Sequence, residues 1–310
     1  KQKFMKKGTG ACKFVNVLQG ENHTDADNWY EHMKHYCDPK QYPETHFNGW
    51  AMGGQNMCDI HLVLKRLVAL RHDGLLEKGV HDIMHFLGTS KLEWATLLTD
   101  IQRAVRKYHN ENFTITFDCA SPFLATANGQ VYTSIEIEDR KKWVYRMIAS
   151  ADDKKYSTDT RPWRDGVLAD SIFPKFEDSP VTKGLTMKDV CIYAPGDLNK
   201  MKKEGKTSWD SFSYAIQMGH NIWMHLTAVQ EANRQYDAGM IPAMLVDESF
   251  DRVMLKDIVE AIFATSNKEE SEMIIEEYSR YWMSIIGTRG AVGKKTVNAS
   301  TQFANLFEEV

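Results

Sequence analysis

Between residues 13 and 118 the chain alternates between a strand-like and a helix-like spacing of hydrophobic positions. Lys13-Phe14-Val15-Asn16-Val17-Leu18 reads as a strand closed by Gln19-Gly20. Residues 24–37 read as a helix, with Asp25 or Asp27 as its cap and Trp29, Met33 and Tyr36 on one face. Pro39 and Pro43 break the chain, and Phe47-Asn48-Gly49-Trp50-Ala51-Met52 forms a second strand ending in Gly53-Gly54. An amphipathic helix follows, with Ile60, Leu64, Leu67, Val68 and Leu75 sharing a face. Asp82-Ile83-Met84-His85-Phe86-Leu87 is a third strand, ending in Gly88-Thr89. Ser90 is placed to cap a helix over 91–108, with Leu92, Ala95, Leu98 and Val105 inside. Phe113-Thr114-Ile115-Thr116-Phe117 is the fourth strand, and Asp118 sits at its carboxyl end. One unit repeats: strand, glycine or acid at its tip, helix. That repeat predicts parallel β/α architecture, either half of a (β/α)8 barrel or a small open sheet.

Past Asp118 the pattern changes. Asn128-Gly129 between the segments Leu124–Ala127 and Gln130–Thr133 predicts a hairpin. Residues 134–150 read as helical or mixed, and the polar stretch 151–190, with Pro162, Pro174 and Pro180, as loops or an insertion. A long helix is expected over 207–237, with Trp209, Phe212, Ile216, Ile222, Leu226 and Val229 inside and Gly219 as a break. Two more helices are expected over 250–264 and 268–286, the first burying Val253, Leu255, Ile258, Val259 and Ile262, the second Met273, Ile274, Tyr278, Trp282 and Ile285.

Composition narrows the class. The chain has 310 residues, 43% hydrophobic and 26% charged, enough for one large core or two smaller ones. No apolar run reaches the roughly 18 residues of a membrane span. Lys1-Gln2-Lys3-Phe4-Met5-Lys6-Lys7 has no apolar stretch behind it like that of a signal peptide, and the lack of an initiator Met leads us to expect a start further upstream. The net charge of −4 gives no global basic footprint, so any nucleic-acid surface must be local. Candidate backbone contacts are Arg140, Lys141 and Lys142, then Lys202 and Lys203, then Arg289, Lys294 and Lys295, although charge runs are usually solvated faces. Gly287–Thr296 is glycine-rich but is no phosphate-binding P-loop, because Lys295 stands where Ser or Thr is required. Five scattered cysteines, Cys12, Cys37, Cys58, Cys119 and Cys191, suit a reducing cytoplasm.

Asp118 at a strand tip is placed to act as base, metal ligand or nucleophile, or simply to cap a turn. The four tips together narrow that choice. Val17-Leu18-Gln19-Gly20, Trp50-Ala51-Met52-Gly53-Gly54, Phe86-Leu87-Gly88-Thr89 and Phe117-Asp118-Cys119, followed by Asn128-Gly129-Gln130-Val131-Tyr132-Thr133, resemble the second half of the tRNA-guanine transglycosylase family over residues 13–133, and faintly over 191–236. The resemblance implies a (β/α)8 barrel that exchanges guanine for a 7-deazaguanine. It implies that Asp118 is the nucleophile, that Gln19 hydrogen-bonds the base, and that Gly54, next to Gly53 in the base site, turns its backbone N–H to the base carbonyl. His85 stands where the family usually has a Met lining the base. On this reading residues 1–150 are the barrel half, 151–240 an insertion and helical region with a degenerate zinc site, and 241–310 a helical extension.

Three departures shape the expectation. The chain begins in the middle of the family's barrel, so either it is a fragment or a partner chain supplies the other half and its two carboxylates. Of the family's zinc ligands only Cys191 and His220 remain, and two ligands do not close a tetrahedral site, so no metal and no cofactor is expected. The two arginines that would read an anticodon loop are replaced by Leu124 and Ala127. These changes, with the longer C-terminus, are similar to the DNA-modifying branch found in phages and bacterial modification clusters. The expected activity is a DNA-guanine transglycosylase, a pentosyltransferase inserting a base such as 7-cyano-7-deazaguanine into DNA, in the cytoplasm (the host's if phage-encoded). The alternatives are a divergent tRNA enzyme and a non-catalytic nucleic-acid-binding subunit.

Overall fold

The computed structural model describes residues 12–53, 59–140, 142–170, 175–193, 212–248 and 252–285. Gly54, Lys141, Lys202, Lys203, Arg289, Lys294 and Lys295 lie outside the described residues. Two compact units are present, one of residues 12–119 with 241–285, the other of residues 120–240.

The first unit is a β/α series: β1 (Val15–Leu18), α1 (His23–Met33), β2 (Gly49–Met52), α2 (Ile60–His72), β3 (Ile83–Phe86), α3 (Leu92–Tyr108) and β4 (Thr114–Phe117). The strands form one parallel sheet in the order β1-β2-β3-β4. The fold class is therefore mixed α/β with a four-stranded parallel sheet. Central β2 is buried along its whole length, as expected for a strand covered on both faces. Helix α3 buries Leu92, Ala95, Leu98 and Val105, as the periodicity predicts, but Ser90 does not cap it; Lys91 takes that position without a side-chain bond. Helix α1 is capped by Asn22, which accepts the Asp25 N–H at 2.9 Å, rather than by Asp25 or Asp27. Its buried face carries Ala26 and Tyr30, while Trp29 stays 42% exposed. The reason is polar: the Trp29 indole N–H donates to the carbonyl of Val17 on edge strand β1, at 2.9 Å.

The second unit opens with α4 (Ser121–Ala127), β5 (Gln130–Asp139) and β6 (Lys142–Ala149). Asn128-Gly129 turns no hairpin. It ends α4, with Gly129 in the left-handed region at φ 72°. The hairpin is β5–β6, over the residues that read as helical or mixed. Pro122 in the first turn of α4 is the helix signal that the Asn-Gly pair overrode. There follow α5 (Trp163–Asp170), the single turn α6 (Met187–Val190) and α7 (Phe212–Asp237).

Helix α7 is continuous through Gly219, and its inward face differs from the expected one. Phe212 and Leu226 are 72% and 58% exposed, whereas Gln217, His220, Asn221 and His225 are buried beside Tyr214, Met224 and Ala228. Polar groups turn inward because neighbouring backbone supplies partners. Asn221 Oδ1 accepts the Tyr132 N–H at 2.9 Å, and its Nδ2 donates to Gln130 O at 3.1 Å and Thr126 Oγ1 at 2.9 Å. Gln217 donates to Val190 O at 2.7 Å and accepts from Ser150 Oγ. Such a network is stable when each buried polar atom is satisfied.

β7 (Val246–Asp247), β8 (Val253–Met254), α8 (Leu255–Ala264), α9 (Lys268–Glu277) and α10 (Ser279–Ser284) return to the first unit. Helix α8 packs on α3 and α9 on α2. Arg71 of α2 donates to Phe263 O and Thr265 O, both at 2.9 Å, closing the end of α8. No helix among the described residues is long and apolar enough to cross a membrane.

Burial in the second unit sets an acid limit on stability. It pushes His220 and His225 down to about 4 from an ordinary value of 6.5. In the unfolded chain both take up a proton near 6.5, so their neutral burial contributes fully above that pH and is lost as pH falls toward 4. The shifts correspond to about 3 kcal/mol per group. Urea unfolding followed between pH 7 and 4.5 should lose several kcal/mol, and the His220→Asn, His225→Phe double variant should show a flatter dependence. Equal slopes for the two proteins would sink this account.

Candidate active site

The parallel register places Leu18, Met52, Phe86 and Phe117 across from one another at the carboxyl ends of the strands. The next residues, Gln19, Gly53, Leu87 and Asp118, therefore form a row along one edge. Pairing continues into the row: the Gly53 N–H donates to Leu18 O at 3.0 Å, Leu87 to Met52 O at 3.1 Å, and Asp118 to Phe86 O at 3.3 Å. The backbone of each site residue is thus fixed by its neighbour strand.

Asp118 is an exposed carboxylate (63%) with one anchored oxygen. Its Oδ1 accepts the Gly88 N–H at 2.9 Å, and Gly88, at φ 79°, adopts the left-handed turn that presents that N–H. His85 Nε2 lies 3.6 Å from the same oxygen, and its Nδ1 is 2.8 Å from Thr116 Oγ1. Oδ2 has no partner among the described residues. A carboxylate held by one oxygen and open at the other is suited to attack or to proton transfer.

Gln19 reaches across the tip of β2. A Cβ added to Gly53 would stand 2.7 Å from Gln19 Nε2 and 3.0 Å from Val17 Cγ1. Glycine at 53 is what leaves room for the amide. Gly20, at φ 152°, plays a comparable part for α1: a Cβ there would meet the Ala26 backbone nitrogen at 2.6 Å. The first turn of α1 therefore lies against the tip of β1.

That closeness brings in a pair the sequence reading missed. His23 opens α1 and Asp59 caps α2, and His23 Nε2 lies 2.9 Å from Asp59 Oδ2. Asp59 Oδ1 also accepts the Leu62 N–H at 3.3 Å. Burial alone raises the Asp59 carboxyl, but the His23 bond and the Leu62 amide outweigh it and hold the group below the usual carboxylate range. The two residues are 36 apart in the chain, so no local motif marks them; the only sequence signal is that each begins the helix after a glycine-bearing tip.

The proposed zinc remnants have other work. Both His220 ring nitrogens are engaged, Nδ1 with Ser179 Oγ and Nε2 with Tyr132 O, each at 2.8 Å. The Cys191 thiol donates to Asp153 O and Tyr193 O at 3.8 Å, and burial raises its pKa. Among the described residues no group of three or more His, Cys, Asp or Glu could hold a metal ion. Arg140 is exposed at the β5–β6 turn, and Lys142 begins β6.

Two glycines of β2 and its tip separate fold from site. At Gly49 a Cβ would stand 2.3 Å from the Ile83 carbonyl, a backbone atom that cannot move aside. Gly49→Ala should cost about 2–3 kcal/mol in urea unfolding. At Gly53 the obstructing atom ends a flexible side chain, so Gly53→Ala should cost less than about 1 kcal/mol. It should instead displace the Gln19 side-chain amide, visible as a shifted NH2 resonance. Equal destabilisation by the two changes would contradict this geometry.

Compared with family models, with curated proteins and with solved structures, the chain matches none.

Proposed function

We propose that this chain is a DNA-guanine transglycosylase whose nucleophile is Asp118. The observation that carries the reading is the anchoring of Asp118 Oδ1 by the Gly88 N–H, with Oδ2 open, on the edge that also holds Gln19 over Gly53. Strand spacing sets the scale: β1 and β4 are three strands apart, about 14 Å. That suits a nucleoside lying along the row, its C1′ at Asp118 and its base pointing toward Gln19 and Gly53.

Asp118 Oδ2 attacks C1′, the bond from C1′ to the guanine nitrogen breaks, and a glycosyl ester forms. A 7-deazaguanine such as 7-cyano-7-deazaguanine then attacks C1′ and releases the carboxylate. A carboxylate is both nucleophile and leaving group at a centre with oxocarbenium character. No cofactor is consumed. His85, 3.6 Å from Asp118 Oδ1, stands where the resemblance has a residue lining the base. In duplex DNA the target guanine must flip out, at a cost of a few kcal/mol. Leu124 and Ala127 sit on α4 where anticodon-reading arginines would be needed, which favours DNA over tRNA. On this reading the four-stranded sheet is the second half of a (β/α)8 barrel, completed by an N-terminal half or a partner chain.

Asp118→Asn is the sharpest test, because an amide oxygen still accepts the Gly88 N–H while the nucleophile is lost. With labelled guanine, wild type should place label in duplex DNA and not in tRNA, and the variant should fall at least about 1,000-fold. Label in tRNA would make the RNA reading correct. No label in either, with nucleic acid still bound, would point to a non-catalytic subunit.

A further inference from the structure

Base exchange moves a proton as well as a glycosyl group, and Asp118 cannot carry it while esterified. We infer that His23, oriented by Asp59, is the proton-transfer group of this site; the inference rests on the transglycosylase reading above.

His23 follows Gln19 by four residues (23 − 19 = 4), and Asp59 opens the helix after the Gly53 tip. Both therefore stand on the edge of the sheet that carries the row, at its base end. Asp59, with only 6% of its side chain exposed, fixes the ring through Nε2 at 2.9 Å. The His23 ring is 33% exposed, and its Nδ1 has no partner among the described residues. A buried carboxylate behind a partly exposed imidazole fixes the ring orientation and leaves one ring nitrogen free to give and recover a proton.

The surrounding groups are few. His61 meets the His23 ring edge-on at 5.2 Å, and burial lowers its own pKa, so it adds little competing charge. Glu276 lies 3.6 Å from His61 Nε2. Further along the same two helices, Arg66 pairs with Asp27 at 2.7 Å. A second clasp therefore already holds α1 to α2. Beyond that pair, the Tyr30 hydroxyl donates to Asp73 at 2.8 Å.

The step balances. As Asp118 Oδ2 bonds to C1′, the C1′–N9 pair passes to the purine, and the His23 imidazolium gives its Nδ1 proton to the ring edge facing β1. Neutral guanine leaves. The incoming base then returns one proton to His23 as its nitrogen attacks C1′ and the ester bond breaks.

The test is the pH profile of exchange in the full-length protein, with trapping of the Asp118 glycosyl adduct. His23→Gln should lower kcat/KM at least about 30-fold and flatten the limb that the imidazole sets. Asp59→Asn, which takes away the carboxylate that orients the ring, should lower kcat/KM in the same direction as His23→Gln. Arg66→Gln should lower the unfolding midpoint but leave the profile where it was. With 8-azaguanine as the departing base, whose anion is more stable, the His23→Gln defect should shrink. A His23→Gln profile of wild-type shape, or a loss of equal size for both bases, would overturn the inference while adducts persist. Absence of any adduct in wild type would overturn the transglycosylase reading, and this inference with it.

Discussion

The constraint on which the first unit depends is the in-register parallel pairing that ends four strands at one line, from Leu18 through Met52 and Phe86 to Phe117. Parallel pairing demands a crossover after each strand, and each crossover here is a helix that returns the chain to the same starting edge. Every strand therefore points its last residue the same way. A residue placed one step past any strand is a neighbour of the residue one step past the next. This is why Gln19 and Asp118, 99 residues apart (118 − 19 = 99), belong to one row.

The second unit is organised by a different constraint. Asn221 and His220, adjacent on α7, both bind the backbone of Tyr132, one at its N–H and the other at its carbonyl. A helix side chain thereby stands in for a third strand at that point of the β5–β6 hairpin. The arrangement costs desolvation of two polar side chains and is favourable only because all their hydrogen-bonding groups are met. Burial keeps His220 neutral, and its bond to the Tyr132 carbonyl ties the helix to the hairpin.

How far the sequence could be read follows from the same two constraints. The strands and helices before Asp118 were legible because apolar period and tip glycines coincide there; Leu92, Ala95, Leu98 and Val105 fall where a 3.6-residue period puts them. Trp29 was misplaced because its bulk suggests burial, whereas its indole N–H is drawn to an edge carbonyl. The inward face of α7 was illegible for a related reason. A hydrophobicity pattern assigns Gln217, His220 and Asn221 to solvent, and only the unpaired backbone of distant residues turns them inward. Asn-Gly misled because its left-handed preference serves a helix end as well as a hairpin turn. Of the site, Asp118, Gln19 and Gly53 were visible as tip residues, while the His23–Asp59 pair exists only through the packing of α1 against α2.

The edges of the four-stranded sheet are guarded by side chains. β1 and β4 are the outer strands, and each already has outward-facing backbone groups satisfied from within. Trp29 donates to Val17 O on one side; on the other, Gln102 accepts the Ile115 N–H at 2.7 Å and Arg106 donates to Phe113 O at 2.5 Å. Exposed edges invite pairing, and covering them with side chains is one way to prevent it. A strand that joined either edge would have to displace these bonds, each worth about 1 kcal/mol net, before gaining its own ladder. The exchange is favourable only for a segment offering several backbone bonds at once and apolar cover for Trp29. Casual edge-to-edge contact through one or two backbone bonds does not meet that requirement.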